Sequence, residues 1–333
     1  MTMSHSRTFS RPGPVAQTVL ISGLKRSGTT ILWETFRQDQ RNLCFDEPFH
    51  PDLWRGKRSN GKGTWAELGA AFDSVSTPFG ANLGPIWPRD ELTDSSAPSQ
   101  CEYLQALMLR AERSVIDEVR LWNRLPELLP GNVPIVVVHL LRDPVNWVTA
   151  QIMPFTGSRR VGRLSRLMTQ LRYFRRGSGY NKWRYEEIID TALSIDHPIL
   201  DMIACTKYEF ARLPAYKKLL AFWWAANLRT RSRLAAWGGG PVVNVTLSEF
   251  STDPAKVVER IYKSAGWDMP ESPIDFAHVR PIRPSWKENS PKYARAFIEL
   301  GLPSALSQGR HLDGDAIASI LDDHLPNHTA KAH

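Results

Sequence analysis

The stretch VLISGLKRSGTTILWETF combines residue types that bind phosphate-like anions. Gly23 and Gly28 bound a turn between an apolar run and an amphipathic one, at the spacing of the phosphate-binding loop G-x-x-x-x-G-K-[ST]. Backbone N–H groups in such a loop converge on an anion at a helix N-terminus. Thr29 stands where that pattern has lysine, and the cations come earlier, at Lys25 and Arg26. The pattern predicts an anion site with an unusual arrangement of charge.

Hydroxyl donors accompany the cations of this loop. Arg26 can pair with the terminal oxygens of an anion, and Thr29 and Thr30 stand where the helix is expected to start. A structural interpretation stays open here, in which glycine serves the turn and threonine caps the helix. On the anion-binding interpretation the contacts come from Lys25, Arg26, Ser27, Gly28, Thr29 and Thr30.

Composition places the chain among globular proteins with a basic surface. It has 333 residues, 42% of them hydrophobic, and 42 Lys and Arg against 34 Asp and Glu, which gives a net charge of +8. That charge favours anionic ligands without choosing between nucleotide, nucleic acid, membrane surface and acidic glycan. The three widely spaced cysteines predict neither a disulfide framework nor a zinc site, and no run has the length of a signal core or a membrane span. We therefore expect a cytoplasmic protein without a bound metal.

Alternating strand and helix patterns predict an α/β fold, with a central, mostly parallel sheet flanked by helices. Buried strands are expected at TVLIS and IVVVHLL, and further strands at NLCFDEPFHP, where the strand stops at Pro48, and at PVVNVTL. Helical periodicity extends from Cys101 to about Leu129, and long helices are expected over Ala215–Trp237 and from Pro254 to Ala265. The glycines and prolines after Trp54 predict loops.

One domain is expected over residues 18–325, after a disordered tail at residues 1–17. An Arg-rich helical insertion is expected around residues 155–215. Within it, residues 158–184 contain nine Lys and Arg and no carboxylate, with aromatic residues between the cations. Such a segment could bind nucleic acid or acidic polymer, cap a site for an anionic glycan, or form an amphipathic surface helix.

Two motifs together resemble those of a known family. GLKRSGTTIL resembles the 5′-phosphosulfate-binding loop of sulfotransferases that use 3′-phosphoadenosine 5′-phosphosulfate (PAPS), and its Arg-Ser-Gly form is typical of their carbohydrate branch. VVVHLLRDPVNWVTAQ is similar to the family's second motif, a strand ending in Arg-Asp/Asn-Pro. The resemblance implies a P-loop NTPase-like sulfotransferase fold with PAPS as donor and no metal. It also implies an acceptor hydroxyl, which we expect on a carbohydrate or glycoconjugate.

The second motif implies that Arg142 binds the 3′-phosphate of the nucleotide. A guanidinium holds a dianionic phosphate bidentately, which lysine does less selectively. The family's partner to this arginine is a serine eight residues later, and that position is Ala150 here. Thr149 or Asn146 would then supply the missing donor. Near the C-terminus, HVRPIRPSWKENS stands in the place of the family's nucleotide-covering loop, with the candidate residues Arg280, Arg283, Ser285 and Lys287.

The candidate general base lies in CFDEPFHPDLW. Glu47 matches the Glu-Pro of carbohydrate sulfotransferases, whose glutamate is thought to take the acceptor proton. A carboxylate at the end of a parallel strand faces the same crevice as a phosphate loop. A cap or salt-bridge role for Glu47 stays open, and His50 is the alternative base because neutral imidazole is suited to pH 7. His139 lies inside a strand and is interpreted as a core residue.

Two rival functions stay open beside the sulfotransferase. A P-loop kinase using ATP·Mg²⁺ is disfavoured because lysine is absent after Gly28 and because no acidic strand end matches a Walker B metal site. A non-enzymatic protein that binds RNA or acidic polymer through residues 158–184 is the other. Nucleic acid is the weaker expectation, since the other motifs already account for the positive charge.

Overall fold

The computed structural model describes a large part of the chain, namely residues 17–54, 84–94, 96–129, 131, 133–152, 185–282 and 291–325. The expected tail lies outside the described residues except for residue 17, and so do the basic segment 158–184 and most of the loop region that follows Trp54. The expected domain boundaries and the insertion therefore stay predictions.

A five-stranded sheet forms the centre, and every pairing in it is parallel. The strand order is β2-β3-β1-β4-β5. The strands are β1 (Thr18–Ser22), β2 (Leu43–Asp46), β3 (Ser114–Glu118), β4 (Ile135–Leu141) and β5 (Val242–Thr246). The predicted α/β class with a mostly parallel sheet is confirmed.

Helices and short 3₁₀ turns connect the strands. The α-helices are α1 (Thr29–Phe36), α2 (Pro51–Trp54), α3 (Pro98–Met108), α4 (Leu125–Leu128), α5 (Pro144–Ile152), α6 (Tyr185–Ile195), α7 (Lys207–Arg212), α8 (Ala215–Trp237), α9 (Leu247–Thr252), α10 (Pro254–Ala265), α11 (Pro291–Glu299) and α12 (Gly314–Asp322). The 3₁₀ turns are Pro88–Leu92, Pro198–Met202 and Ser304–His311. The predicted helices at α8 and α10 are confirmed with the expected bounds.

Both faces of the sheet are buried, which explains why β1 and β4 are mostly apolar runs rather than alternating ones. On β1, Val19 and Ile21 pack with residues of α1, α9 and α10 on one face. Leu20 points to the other face and packs with residues of α3 and α4. β1 therefore lies between two helical layers, and its carboxyl end is the point from which the candidate loop leaves the sheet.

The helix predicted from Cys101 to about Leu129 is wrong over most of its length. α3 ends at Met108, and β3 follows, pairing with β1 on one side and β2 on the other. The apolar spacing in this region fits a helix, and the strand itself is only five residues long. Pairing with two strands that are distant in the sequence makes this stretch a strand, and the local periodicity does not reveal such pairing.

Several helices begin and end at residues of the types that commonly cap helices. The N–H of Asn146 donates to Asp143 Oδ1 at 2.9 Å at the start of α5, with Pro144 in the first helical position. Gly238 ends α8 with a φ of 59°, a conformation that favours glycine.

Two findings concern membrane-spanning helices and the state of the cysteines. In the part of the chain that the structure describes, no helix has both the length and the apolar character needed to cross a membrane. Cys44, Cys101 and Cys205 all carry free thiols.

Truncation of either face of β1 is expected to destabilise the fold strongly. Leu20→Ala and Ile21→Ala each remove a fully buried side chain, so each should lower the free energy of unfolding by about 2–5 kcal/mol. Leu109→Ala is the matched control, because Leu109 is 50% exposed and should change stability by no more than about 0.5 kcal/mol. Urea unfolding measures all three, and similar losses at Leu20 and Leu109 would contradict the two-faced burial.

Candidate active site

The candidate site lies at the carboxyl edge of the sheet, between β1 and β4. From β1 the chain continues to β2 on one side of the sheet, and from β4 it continues to β5 on the other. Such a change of direction opens a crevice beyond the carboxyl ends of the two strands, the usual ligand position in open α/β sheets. The loop 23–28 and Arg142 flank this crevice.

Two glycines allow the loop to turn tightly at this edge. A Cβ on Gly23 would lie 2.3 Å from the carbonyl oxygen of Leu140 on β4, so no side chain fits there. Gly28 has a φ of 102°, and a Cβ on it would meet Leu247 Cδ1 at 2.5 Å. Arg26 is also left-handed, with a φ of 75°. Left-handed residues in a short loop gather N–H groups into an anion-binding concavity.

Side chains of helix α5 hold the loop by hydrogen bonds to the loop's backbone carbonyl groups. The carbonyl of Lys25 accepts from Trp147 Nε1 at 3.0 Å and from Gln151 Nε2 at 2.7 Å. Arg142 Nη1 donates to the carbonyl of Arg26 at 2.8 Å. The C=O and N–H of a trans peptide point in opposite directions, so the N–H of Arg26 faces away from α5. The contacts therefore turn one loop N–H toward the side where a ligand would bind.

The start of α1 offers further donors. Its N-cap residue is Gly28, and no side chain caps the helix there. The first N–H groups of a helix have no partner within the helix and attract anions. Across the crevice, Arg142 Nε is buried without a hydrogen-bond partner among the described residues. Burial lowers the pKa of the Arg142 guanidinium from its ordinary value, and the charge of Arg26 lowers it further. An anion between these two cations would relieve both costs.

The two loop threonines contact a carboxyl group that the sequence analysis did not single out. Thr30 Oγ1 donates to Asp117 Oδ2 at 3.4 Å, and Thr29 also hydrogen-bonds to Asp117. Their hydroxyl groups are thereby engaged with β3, the strand beside β1. Their backbone N–H groups remain at the N-terminus of α1, where the anion prediction needs them.

Glu47 and His50 lie together at the end of β2, as expected for alternative bases. His50 Nε2 is 3.8 Å from Glu47 Oε2, and the Glu47 side chain is 17% exposed. Arg120 Nη1 donates to the same Glu47 oxygen at 2.5 Å. Glu47 has a φ of 41°, an uncommon conformation for a residue with a side chain. Its N–H donates to the carbonyl of Asp117 at 2.7 Å, which ties this turn to β3.

The carboxyl ends of β2 and β3 place several acidic side chains close together. Asp46 and Asp117 are paired residues in the sheet, and Glu47 and Glu118 follow them. Asp117 is fully buried, and burial raises its pKa well above the ordinary value, with a further rise from the charges of Asp46 and Glu47. Burial also raises the pKa of Glu118, and the positive charge of Arg120 opposes that rise.

The suggested replacements for the family serine are both engaged elsewhere. Thr149 Oγ1 donates to the carbonyl of Val145 within α5 at 2.8 Å. Asn146 Nδ2 donates to Asp143 Oδ2 at 2.8 Å. A role for either one in binding a phosphate stays a prediction. His139 is buried, as expected, and burial lowers its pKa to about 3, with a further contribution from Arg231.

A C-terminal strap, residues 268–282, runs back along α1 toward the loop. Arg41 Nη2 donates to the carbonyl of Asp268 at 2.9 Å, beyond the end of α1. Gln38 and Asp275 exchange two hydrogen bonds. His278 Nε2 then lies 3.0 Å from Thr35 Oγ1. Arg280, two residues after His278, is exposed, whereas Arg283, Ser285 and Lys287 lie outside the described residues.

Sequence reasoning missed three residues of this edge, namely Asp117, Glu118 and Arg120. All three fall inside the stretch that was interpreted as a helix. The available signal was the run SVIDE, in which two carboxylates follow three residues of a strand-like pattern. Asp117, the penultimate residue of β3, is an acidic residue near a strand end beside β1, so the expectation about a Walker B site stays a prediction.

Comparisons with known proteins give only weak similarity. No family model matches the chain, and no curated protein matches it. Sulfotransferase STF1 from Mycobacterium tuberculosis H37Rv is similar with 14% identity and a TM-score of 0.40, over 89% of this chain and 76% of that one. The sulfotransferase domain of the Synechococcus PCC 7002 olefin synthase has 16% identity and a TM-score of 0.37, over 97% and 98%. Sulfotransferase from Alicyclobacillus acidocaldarius has 12% identity and a TM-score of 0.38, over 87% of this chain and 98% of that one. At these scores the similarity assigns neither family nor activity.

Removal of the Asp117 charge is expected to stabilise the protein at neutral pH. Its folded pKa is raised, so the folded state binds more protons than the unfolded state between the two pKa values, and stability falls as pH rises through that window. Asp117→Asn should therefore raise Tm at pH 7 by about 2–4 °C, with a smaller difference near pH 4, measured by thermal unfolding across pH.

Asp39→Asn is the control with the opposite sign. Burial alone would raise the pKa of Asp39, but hydrogen bonds from Arg41 and Tyr262 outweigh it and lower the pKa. Its stabilising effect is present above the unfolded pKa and is lost as pH falls through the folded pKa. This variant should lower Tm at pH 7, with a difference that shrinks in acid. A lower Tm at pH 7 for Asp117→Asn as well would contradict the assigned charge cost.

Proposed function

We propose that this chain is a sulfotransferase, which moves the sulfonate group of PAPS to a hydroxyl group of an acceptor. The observation that carries the proposal is the pair of anion-binding features at one switch point. A glycine-bounded loop opens α1, and beside it lies Arg142, whose buried Nε has no hydrogen-bond partner in the described part of the chain. A nucleotide with phosphate-type groups at both its 5′ and 3′ positions suits two such features. The carbohydrate or glycoconjugate acceptor is proposed on the motif resemblance alone.

The donor's two anionic ends are proposed to bind opposite sides of the crevice. The 5′-phosphosulfate is assigned to the loop, with contacts from Lys25, Arg26, Ser27, Gly28, Thr29 and Thr30. The 3′-phosphate is assigned to Arg142, which lies next to Arg26. Thr149, Arg280, Arg283 and Lys287 are proposed as further contacts. The N-terminus of α1 and the two arginines stabilise the negative charge that grows as the sulfonate departs.

Glu47 is proposed to take the acceptor proton. When PAPS is bound it supplies an activated sulfonate: the acceptor oxygen forms a bond to sulfur, and the bond from sulfur to the 5′-phosphate oxygen breaks. The proton of the acceptor hydroxyl passes to the Glu47 carboxylate, which is only partly exposed and lies beside His50. No covalent intermediate with the chain is needed, since positioning and electrostatics dominate this type of transfer.

A P-loop kinase that uses ATP·Mg²⁺ is retained as the second candidate because of one contact. Asp117 is the penultimate residue of β3, the strand next to β1, and its Oδ2 is 3.4 Å from Thr30 Oγ1, the residue at the [ST] position of the P-loop pattern. P-loop enzymes hold Mg²⁺ with that hydroxyl and a strand-end aspartate. Thr29 at the lysine position still opposes a kinase. The polymer-binding rival depends on residues 158–184, which lie outside the described part of the chain.

Nucleotide-dependent thermal stability separates the two enzymes. A ligand at a hundredfold excess over its Kd stabilises by about 2.7 kcal/mol, which raises Tm by roughly 5 °C. We expect this rise with 3′,5′-ADP and PAPS, a smaller one with 5′-AMP, and none with ATP·Mg²⁺. In Arg142→Ala, 3′,5′-ADP should raise Tm no more than 5′-AMP does. Stabilisation by ATP·Mg²⁺ alone would replace the sulfotransferase with the kinase.

Neutralisation of Glu47 is expected to slow transfer without loss of nucleotide binding. Glu47→Gln keeps the shape but cannot take a proton, so release of 3′,5′-ADP from PAPS should slow by about 10²–10⁴-fold. Glu34→Gln on the exposed face of α1 is the control and should keep full turnover. Unchanged turnover in Glu47→Gln together with loss in His50→Gln would move the base to His50. A screen of glycans against phenols and steroids identifies the acceptor.

A further inference from the structure

A buried carboxylate joins the turn after β2 to the turn after β3. Glu118 is fully buried, and its two oxygens accept from two backbone donors on different turns. Oε2 accepts from the N–H of Phe49 at 3.0 Å, and Oε1 accepts from the N–H of Arg120 at 3.0 Å. Phe49 lies two residues after Glu47 in the chain. Glu118 therefore fixes the turn that carries the proposed base against the turn that carries Arg120.

Arg120 connects this anchor to the proposed base through its side chain. Its Nη1 donates to Glu47 Oε2 at 2.5 Å and to Glu118 Oε1 at 3.3 Å, and the side chain is only 5% exposed. Burial opposes the charge of the guanidinium, yet the charges of Glu47, Glu118 and Glu91 together raise its pKa above the ordinary value. Arg120 is thus a buried cation held between carboxylates, with little freedom to reorient.

The backbone of Glu47 requires such support. A left-handed φ at a residue with a side chain is strained, and strain of this kind persists only where the surroundings hold it. Three contacts hold it here: the N–H of Glu47 on Asp117, the N–H of Phe49 on Glu118, and the carboxylate on Arg120. All three come from β3 and the turn that follows it.

We propose that Arg120 is the positioning residue of Glu47, with Glu118 as its anchor. The inference rests on the proposed function, since it assigns Arg120 a role that acts through the base. Arg120 directs the Glu47 carboxylate toward the crevice by holding Oε2, and it stabilises the anionic form that accepts a proton. The charged groups around the Glu47 carboxylate are Arg120, His50, Asp117 and Glu118. Arg120 is the positive one among them at every pH in the working range.

The test measures release of 3′,5′-ADP from PAPS with water as the acceptor, in single turnover with enzyme in excess. Water attacks sulfur, the bond from sulfur to the phosphate oxygen breaks, and sulfate and a proton are released. We expect Arg120→Gln to slow this rate by about 10–100-fold, which is typical of a misplaced catalytic group. The acid limb of its pH–rate profile should move to higher pH, because the neighbouring cation is gone. The affinity for 3′,5′-ADP should stay within about twofold.

Arg124→Gln is the matched control. Arg124 lies on the same turn of chain, is equally buried, and donates to Gln100 Oε1 at 3.4 Å rather than to Glu47. It should lose stability without a shift of the pH profile. Arg120→Lys keeps the charge, so it should restore the pH profile and part of the rate, and it serves if the glutamine variant does not fold. The same profile shift in Arg124→Gln would reduce Arg120 to a structural residue.

A double variant shows whether Arg120 acts through Glu47. In the Glu47→Gln background, Arg120→Gln should cause no further loss of rate, because the group that it positions is already absent. Additive losses, or loss of 3′,5′-ADP affinity in a folded Arg120→Gln variant, would make Arg120 a donor-binding residue and overturn the inference. If the wild-type chain does not bind 3′,5′-ADP, the proposed function itself is rejected. Wild-type turnover no faster than that of Glu47→Gln rejects Glu47 as the base, and the inference with it.

Discussion

The crowded carboxyl end of β1 is the constraint on which the site depends. β1 is the central strand, with β3 on one side and β4 on the other, so the chain must leave the sheet without a side chain at Gly23. That close approach sets the loop against β4, within reach of Arg142. On the other side of β1, the neighbouring strand β3 places Asp117 in contact with Thr30. The contacts of the candidate loop with Arg142 and with Asp117 both follow from the position of one strand.

Charge is divided across this edge of the sheet. The β4 side carries the cations Arg26 and Arg142, and the β2 and β3 side carries the carboxylates, with Arg120 as a buried cation between them. The proposed anionic donor and the proposed proton acceptor need opposite environments, and β1 lies between the two groups of charges. Burial of Asp117, and after it the nearby charges of Asp46 and Glu47, raise its pKa, which shows that its charge is costly there. Such a cost is usual where a site is arranged for a ligand or a reaction rather than for stability.

Local signals in the sequence predicted those parts of the fold that local chemistry decides. Buried β-branched runs identified β1 and β4, and the expected bounds of α8 and α10 are confirmed, with Gly238 after the first and Asp253 capping the second. The same approach failed at β3, because that strand lies in a stretch whose apolar spacing also fits a helix. Its partners, β1 and β2, are about 70–100 residues away in the chain. Only the assembled sheet makes that stretch a strand.

For the candidate site, the sequence by itself determined the loop, Arg142 and Glu47, because each belongs to a motif of adjacent residues. Tertiary structure decided which groups meet them. Asp117 reaches the loop threonines and Arg120 reaches Glu47 across 87 and 73 residues of chain. Such contacts depend on the parallel register of β1, β2 and β3, and strand order is a property of the whole sheet rather than of any segment. The proposed base could therefore be found in the sequence, whereas the residues that contact it could not.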